Sequence, residues 1–348
     1  MHQRATSAIR LPAEWEPQDA VLLAWPHADS DWQPVLEEIS AVYLELVRII
    51  SCYQQLVIIS PQPEEVQLQL IKHGITTPGI RIERVSTNDT WIRDFGPLTV
   101  LHNERPRLLD FGFNGWGNKF PAARDNRATA QLHAAGVFGT TPLDTVDLIL
   151  EGGSIESDGK GTLLTTTKCL LNPNRNPHLD KQQLEKILQQ KLGAKQILWL
   201  KHGYLAGDDT DAHIDTLARL CPHETICYVR CTVQKDEHYQ ELQRMEEELK
   251  ALKTAAGEPF NLVPLPWPKA CYDDQGERLP ATYANYLVIN RAVLVPTYKD
   301  PADQAALTAV SGAYPDRDII GVDCRAVIRQ HGSLHCISMQ LPRGVLHE

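Results

Sequence analysis

Ser154-Ile155-Glu156-Ser157-Asp158-Gly159-Lys160-Gly161-Thr162-Leu163-Leu164-Thr165-Thr166 is the stretch whose reading decides the fold. Two runs of strand-forming residues flank Asp158-Gly159-Lys160-Gly161, whose glycines tolerate the backbone of a tight turn. The alternation predicts a hairpin of strands 154–157 and 162–170. A helix over Lys181–Leu192 and a strand over Gln196–Leu200 then follow from apolar spacing. The same ββαβ order recurs. Strands are expected at 97–101, 107–113 and 146–150 around a helix at 122–135. A third copy has strands 215–220 and 225–230, helix 235–254 and strand Asn261–Leu265. A fourth has strands 283–289 and 292–296, helix 301–314 and strand 318–322. The hairpins begin near Pro97, Ser154, Asp215, Tyr283 and Cys336, a loose period of roughly 60 residues that is longer than most solenoid repeats.

The fifth unit is split between the ends of the chain. A strand at 336–340 is expected to pair with one at 20–25, and helix 34–50 and strand Gln55–Ser60 complete the unit. Segment 64–73 and strand 81–85 lead into the next. Joining the ends closes a ring and removes an open sheet edge. The expected fold is therefore α/β, a pseudo-symmetric ring of ββαβ units. In this layout Asp94, Glu151, His213 and Cys336 each fall where one unit's last strand gives way to the next hairpin. Equivalent positions in a ring face one central point.

The chain has 348 residues with 43% hydrophobic content, enough to bury a large core. That length would allow two domains. No linker, low-complexity run or composition break is visible, so a single domain over 1–348 is expected. The net charge of −10 argues against nucleic acid as a partner. Apolar runs are too short to span a bilayer. Met1-His2-Gln3-Arg4-Ala5-Thr6 shows no apolar signal region, so a cytoplasmic protein is expected and the Asn88-Asp89-Thr90 sequon is incidental. The eight cysteines form no CxxC pair and are expected as free thiols, mostly small core residues. Cys336 differs because Gly332, Ser333 and His335 surround it with a polar, pliable setting that could keep a thiolate reactive.

Three other clusters carry chemistry. His213-Ile214-Asp215 places imidazole and carboxylate two residues apart, on one face of an extended strand. A hydrogen-bonded surface pair is the bland reading and a metal site the other. The eleven histidines besides His213 and His335 lack a compact HxxxH or Cys/His spacing, so no metal is expected. Asp208, Asp209 and Asp211 make the densest acidic loop, either a solvated turn or a surface facing a substrate cation. In Trp91-Ile92-Arg93-Asp94 the indole can cover a guanidinium and the carboxylate can fork two of its N–H groups, although a buried Arg93–Asp94 pair would look the same. Glu151 ends the apolar run 146–150 and needs a partner if buried, beside glycines that allow close backbone approach. Thiol, imidazole and carboxylates together could hold a planar cation and replace one of its nitrogens.

The motifs resemble those of the agmatine deiminases, in the guanidino-group-modifying (pentein-like) superfamily that also contains peptidyl-arginine and free-arginine deiminases. The matching stretches are Leu11-Pro12-Ala13-Glu14-Trp15-Glu16-Pro17, Asn88 to Pro97, Glu151-Gly152-Gly153-Ser154-Ile155, Leu170 to Pro177, Thr210 to Asp215, and Gly332-Ser333-Leu334-His335-Cys336-Ile337. The resemblance implies a five-bladed α/β propeller, with Cys336 as nucleophile, His213 as acid/base and Asp94 and Asp215 as guanidinium clamps. Two departures stand out. Glu156 occupies a place where the family commonly has His, and Gln330-His331-Gly332-Ser333-Leu334 replaces a tail richer in glycine with an Asn. The expected reaction is agmatine plus water to N-carbamoylputrescine and ammonia through a covalent thiouronium. Glu151 is expected to orient His213, and Trp91, Arg93, Asp209, Gly332 and Ser333 to contact the substrate. A small cationic guanidine is the expected partner, with no metal or organic cofactor, no nucleic acid and no membrane. Pairing into a homodimer is implied by the resemblance. Peptidyl-arginine deimination, amidinotransfer and a catalytically idle ligand-binding propeller are the alternatives.

Overall fold

The hairpin at the Asp158 turn forms, and it sets the pattern for the rest of the chain. In the computed structural model, which describes residues 9–76 and 78–346, Ile155–Ser157 pairs antiparallel with Thr162–Thr166, and that strand pairs parallel with Gln196–Leu200. Asp158 Oδ1 accepts from the N–H groups of Lys160 (2.7 Å) and Thr162 (2.9 Å), while Gly159 and Gly161 take positive φ values of 75° and 110°. The second strand is shorter than expected. The Thr166 hydroxyl accepts from Cys169 N at 3.2 Å and caps a short helix, Thr167–Leu170, which ends the strand.

The hairpin-plus-parallel-strand pattern recurs in Leu98–His102, Arg105–Gly112 and Leu143–Ile149, and again in Ala218–Cys221, Thr225–Val229 and Asn261–Leu265. It recurs once more in Leu287–Ile289, Ala292–Thr297 and Asp318–Asp323. The ends of the chain meet as expected: Ser338–Pro342 pairs antiparallel with Gln18–Ala24, which runs parallel to Gln55–Ser60, followed by Ile80–Arg84. Among the described residues these are five separate sheets of three or four strands, none closed on itself. Two small elements escaped the periodicity: Ile9–Arg10, which adds to Leu98–His102, and the hairpin Cys271–Tyr272 with Arg278–Leu279.

Local chemistry accounts for the elements. Lys181–Leu192 opens with an Asp180–Gln183 capping box, buries Leu184, Leu188 and Leu192, and stops at Gly193 with φ 69°. Leu36–Ile50 buries Ile39, Tyr43, Leu46, Val47 and Ile50 along one stripe. The helix expected over 235–254 spans Tyr239–Ala251, because Asp236 accepts from His238 N and from Arg278 and holds the chain off the helix. The helix expected over 122–135 shortens to Ala128–Ala134, with a 3₁₀ turn at Asp125–Arg127 before it. Among the described residues no helix is long and apolar enough to cross a membrane. Residues 1–6, read above for a signal, lie outside the described residues.

Strand Gln18–Ala24 is flanked on both edges and its Ala20–Ala24 stretch is fully buried, which makes it the most sensitive point of the core. Leu22→Ala is expected to lower stability by about 2–5 kcal/mol. Leu68→Ala, at a side chain 66% exposed, should change it by less than about 0.5 kcal/mol. Denaturant midpoints of the two variants, measured side by side, check this.

Candidate active site

Gly153 is the point around which the polar side chains gather. A Cβ there would lie 2.7 Å from His213 Nδ1 and 2.9 Å from both Asp215 Oδ2 and Asp94 Oδ1. Close approach, not backbone φ, is what demands glycine at this position. The loops that deliver these residues are alike. Each of Asp94, Glu151, His213 and Cys336 lies a few residues before the first strand of a hairpin.

Asp94 sits on the short helix Ile92–Phe95. Gly153 N donates to its Oδ1 and Trp116 Nε1 to its Oδ2, each at 2.9 Å. His213 Nδ1 is 3.7 Å from Oδ1. Burial, then the charges of Asp215 and Glu151, push the Asp94 carboxyl well above the usual carboxylate range. His213 is fully buried, and neither ring nitrogen has a hydrogen-bond partner. Burial drives its pKa down to about 3, so the imidazole is neutral with a lone pair available. Glu151 is likewise fully buried: Arg175 Nε donates to Oε1 at 3.0 Å and Oε2 has no partner. Burial raises its pKa against the pull of Arg175.

Asp215 behaves in the opposite sense to Asp94. Burial opposes its charge, but His335 donating to Oδ2 at 2.8 Å and the nearby His213 and Arg219 outweigh it and hold the group below its ordinary value. Cys336 Sγ lies 3.8 Å from the same oxygen. Asn285 Oδ1 accepts from the N–H groups of His335 (3.1 Å) and Cys336 (3.3 Å) and fixes the turn. Burial, then Asp215 and Asp94, push the Cys336 thiol well above its usual range. That shift favours the thiol over the thiolate.

Behind this layer lies a buried ionic network. Glu14 Oε1 is 2.5 Å from His335 Nε2, and Glu14 accepts from Arg93 (3.0 Å) and Arg219 (2.7 Å). Arg219 also donates to Glu156 at 2.5 Å and lies 4.5 Å from the Tyr286 ring. Carboxylate oxygens lie at both His335 nitrogens, so one proton is shared along the Glu14–His335–Asp215 line whichever group carries it. Burial, Arg219 and Arg93 push its pKa down, whereas Glu14 and Asp215 work to keep the proton.

Cys336 and Asp94 line a cavity of about 490 Å³, together with Trp91, Trp116, Asp209 and Gly332. A Cβ on Gly332 would collide with the Trp91 ring. Of the three loop aspartates only Asp209 lines the cavity. Asp208 is spent on Thr210 and on Ala212 N (2.6 Å), and Asp211 on Lys119 (2.9 Å) and Arg175.

Three expectations are corrected by this geometry. Arg93 does not line the cavity, because Glu14, Gln340 (2.6 Å) and the His335 carbonyl (3.3 Å) occupy it behind Cys336. Ser333 is also outside the lining; it is buried, and its carbonyl accepts from Ile337 N at 3.3 Å. His213 and Asp215 do not sit on an extended strand, because Ile214–Thr216 is a 3₁₀ turn entered through left-handed Asp211 and Ala212, each with φ 66°. Sequence reading missed roles for Glu14, Arg175, Arg219 and His335. Glu14 and Arg175 lay inside stretches already singled out, but their partners are distant in the chain.

The profile of the Porphyromonas-type peptidyl-arginine deiminase family matches residues 10–342. An agmatine deiminase of Pseudomonas putida is 30% identical over 368 residues, covering 97% of this chain and 96% of that one. Among solved structures, an agmatine deiminase of C. jejuni with substrate bound has 43% identity and a TM-score of 0.91, with 99% of each chain covered. An agmatine deiminase of Enterococcus faecalis has 28% identity and a TM-score of 0.86, covering 99% of this chain and 100% of that one. Cys336 and Asp94 line the cavity, His213, Asp215 and Glu151 are buried outside its lining, and with a family profile matching residues 10–342 this chain belongs to the Porphyromonas-type peptidyl-arginine deiminase family.

Proposed function

We propose that the protein is a cysteine hydrolase that deiminates agmatine, with water, to N-carbamoylputrescine and ammonia. One observation carries the chemistry: Cys336 and Asp94 line one cavity, with Asp215 3.8 Å from the sulfur and neutral His213 3.7 Å from Asp94. Asp94 and Asp215 clamp the guanidinium. The Cys336 proton passes to His213, and the thiolate attacks the guanidinium carbon to form a C–S bond. His213 returns that proton to the departing nitrogen, the C–N bond breaks, and ammonia leaves a thiouronium. His213 then takes a proton from water, whose oxygen attacks the same carbon; the C–S bond breaks as that oxygen gives up its second proton, which ends on the ammonia as ammonium, and His213 returns its own proton to the sulfur, freeing the ureido product. Glu151, within 4.8 Å of His213, is proposed to orient it. Trp91 and Gly332 shape the cavity wall.

The agmatine reading is favoured over peptidyl-arginine by the names of the curated relatives and by the charges around the cavity. Asp209 faces an incoming ammonium, and Arg329, the one arginine in the lining, is already paired with Asp274 at 3.0 Å. We further read the five sheets as blades of one five-bladed propeller, with 1–348 as a single catalytic domain. The repeated strand order and the like placement of the site loops support this.

Cys336→Ser is expected to abolish ammonia release and to keep the circular dichroism spectrum. Asp94→Asn and Asp215→Asn should each cost about 1.5–3 kcal/mol of transition-state stabilisation with every guanidine tested. Activity near that of the wild type in any of the three would remove that residue from its role. A second expectation concerns pH. A raised thiol pKa means reactivity that keeps climbing as pH rises, so iodoacetamide labelling of Cys336 in the free enzyme should still increase beyond about pH 8.5, the ordinary thiol value. Labelling that levels off below neutrality, followed by mass spectrometry, would show a thiolate already formed without substrate. The substrate itself is tested by ammonia release from agmatine, arginine and an arginyl peptide side by side. Agmatine should be preferred, and Asp209→Asn should shrink the agmatine-to-arginine ratio of kcat/KM by about tenfold, the equivalent of 1.4 kcal/mol. Equal kcat/KM for all three substrates contradicts the agmatine reading.

A further inference from the structure

Glu151, Cys169 and His213 converge outside the cavity lining, and the reaction uses Cys169 for nothing. A carboxylate oxygen, the thiol sulfur and a ring nitrogen lie within 4.8 Å of one another. All three residues are fully buried. Glu151 Oε2 and both His213 nitrogens have no hydrogen-bond partner. Leaving a buried polar atom without a partner is costly, and an acid/base role accounts for a free lone pair on one ring nitrogen but not for the rest. We propose that this triad is a site for Zn²⁺, and that its occupancy stops turnover by taking the His213 lone pair.

Thiolate, imidazole and carboxylate are zinc's preferred donors, and three protein ligands leave a fourth position open. Bonds of about 2.0–2.3 Å place tetrahedral ligand atoms roughly 3.5 Å apart, so small inward rotations close the triad on an ion. Binding releases the Cys169 proton as the Zn–S bond forms. The Arg175 guanidinium on Glu151 Oε1 opposes a second cation, so the site is one that fills and empties, not a structural one. No sequence spacing could have shown it, since the ligands come from three different loops. The comparable group of Glu14, Glu156 and His335 carries no such proposal, because Arg93 and Arg219 already occupy its carboxylates.

Loss of turnover rests on the role of His213, but binding does not, and the two can be separated. Cobalt(II) added to Cys336→Ser, which lacks the other thiol of the site, should give a thiolate-to-metal charge-transfer band at one equivalent, and Zn²⁺ should bleach it. The band should vanish in Cys336→Ser/Cys169→Ser and in Cys336→Ser/Cys169→Ala. In active enzyme zinc should inhibit reversibly, with EDTA restoring activity. Cys169→Ser and Cys169→Ala should keep turnover while needing about tenfold or more zinc for the same inhibition. No band, or a band that survives loss of Cys169, overturns the site. A band that depends on Cys169 with unchanged zinc sensitivity overturns the inhibitory role. Absence of turnover on every guanidine would count against the proposed function and leave the cobalt result to decide the metal site.

Discussion

The site depends on how its buried carboxylates are compensated. Asp94, Glu151, Glu156 and Asp215 are all withdrawn from water around one centre, and an isolated buried carboxylate would take up a proton. Arg175 answers Glu151, while Arg219 spans Glu14 and Glu156, with Arg93 on the other side of Glu14. Removing one member of such a group leaves an uncompensated charge, at a cost of about 3–5 kcal/mol. The fold and the chemistry therefore share these arginines.

Asp94 and Asp215 have no arginine partner. The donors to Asp94 are a backbone N–H and an indole N–H, and its carboxyl is held toward the protonated form. Asp215, backed by His335, is held ionised. The two proposed clamps are therefore unequal: one favours its charged form and the other its protonated form. Burial is the main cause of the raised Cys336 pKa, and the carboxylate charges that add to it are those a guanidinium would neutralise. Arrival of a cation would thus favour ionisation of Asp94 and Cys336 together, and a neutral ligand of the same shape would not.

Much of this was legible in the sequence where the determinants are local. The helix Lys181–Leu192 and the strands Gln196–Leu200 and Asn261–Leu265 have the bounds that their periodicity and caps predict. The Asp158 turn announced the hairpin. Local signals failed where tertiary contacts decide. Thr166 diverts a strand into a helix, and Asp211 and Ala212 enter left-handed backbone without a glycine, an unfavoured state that the Arg175 and Lys119 pairs stabilise. Arg93 read as a substrate contact because its neighbours are Trp91 and Asp94, yet its partners Glu14 and Gln340 lie near the two ends of the chain.

The pairing of Gln18–Ala24 with Ser338–Pro342 bears on when the protein can begin to work. Glu14 precedes the first of these strands by four residues, and Cys336 precedes the second by two. A chain emerging from the ribosome has made the first of these strands, all three arginines and three of the four site loops long before Cys336 exists. Until residue 342 is made, Gln18–Ala24 presents one bare edge and Glu14 lacks His335. Closing that contact across more than three hundred residues completes the sheet and the active site in one step, so the partly synthesised protein is silent by construction.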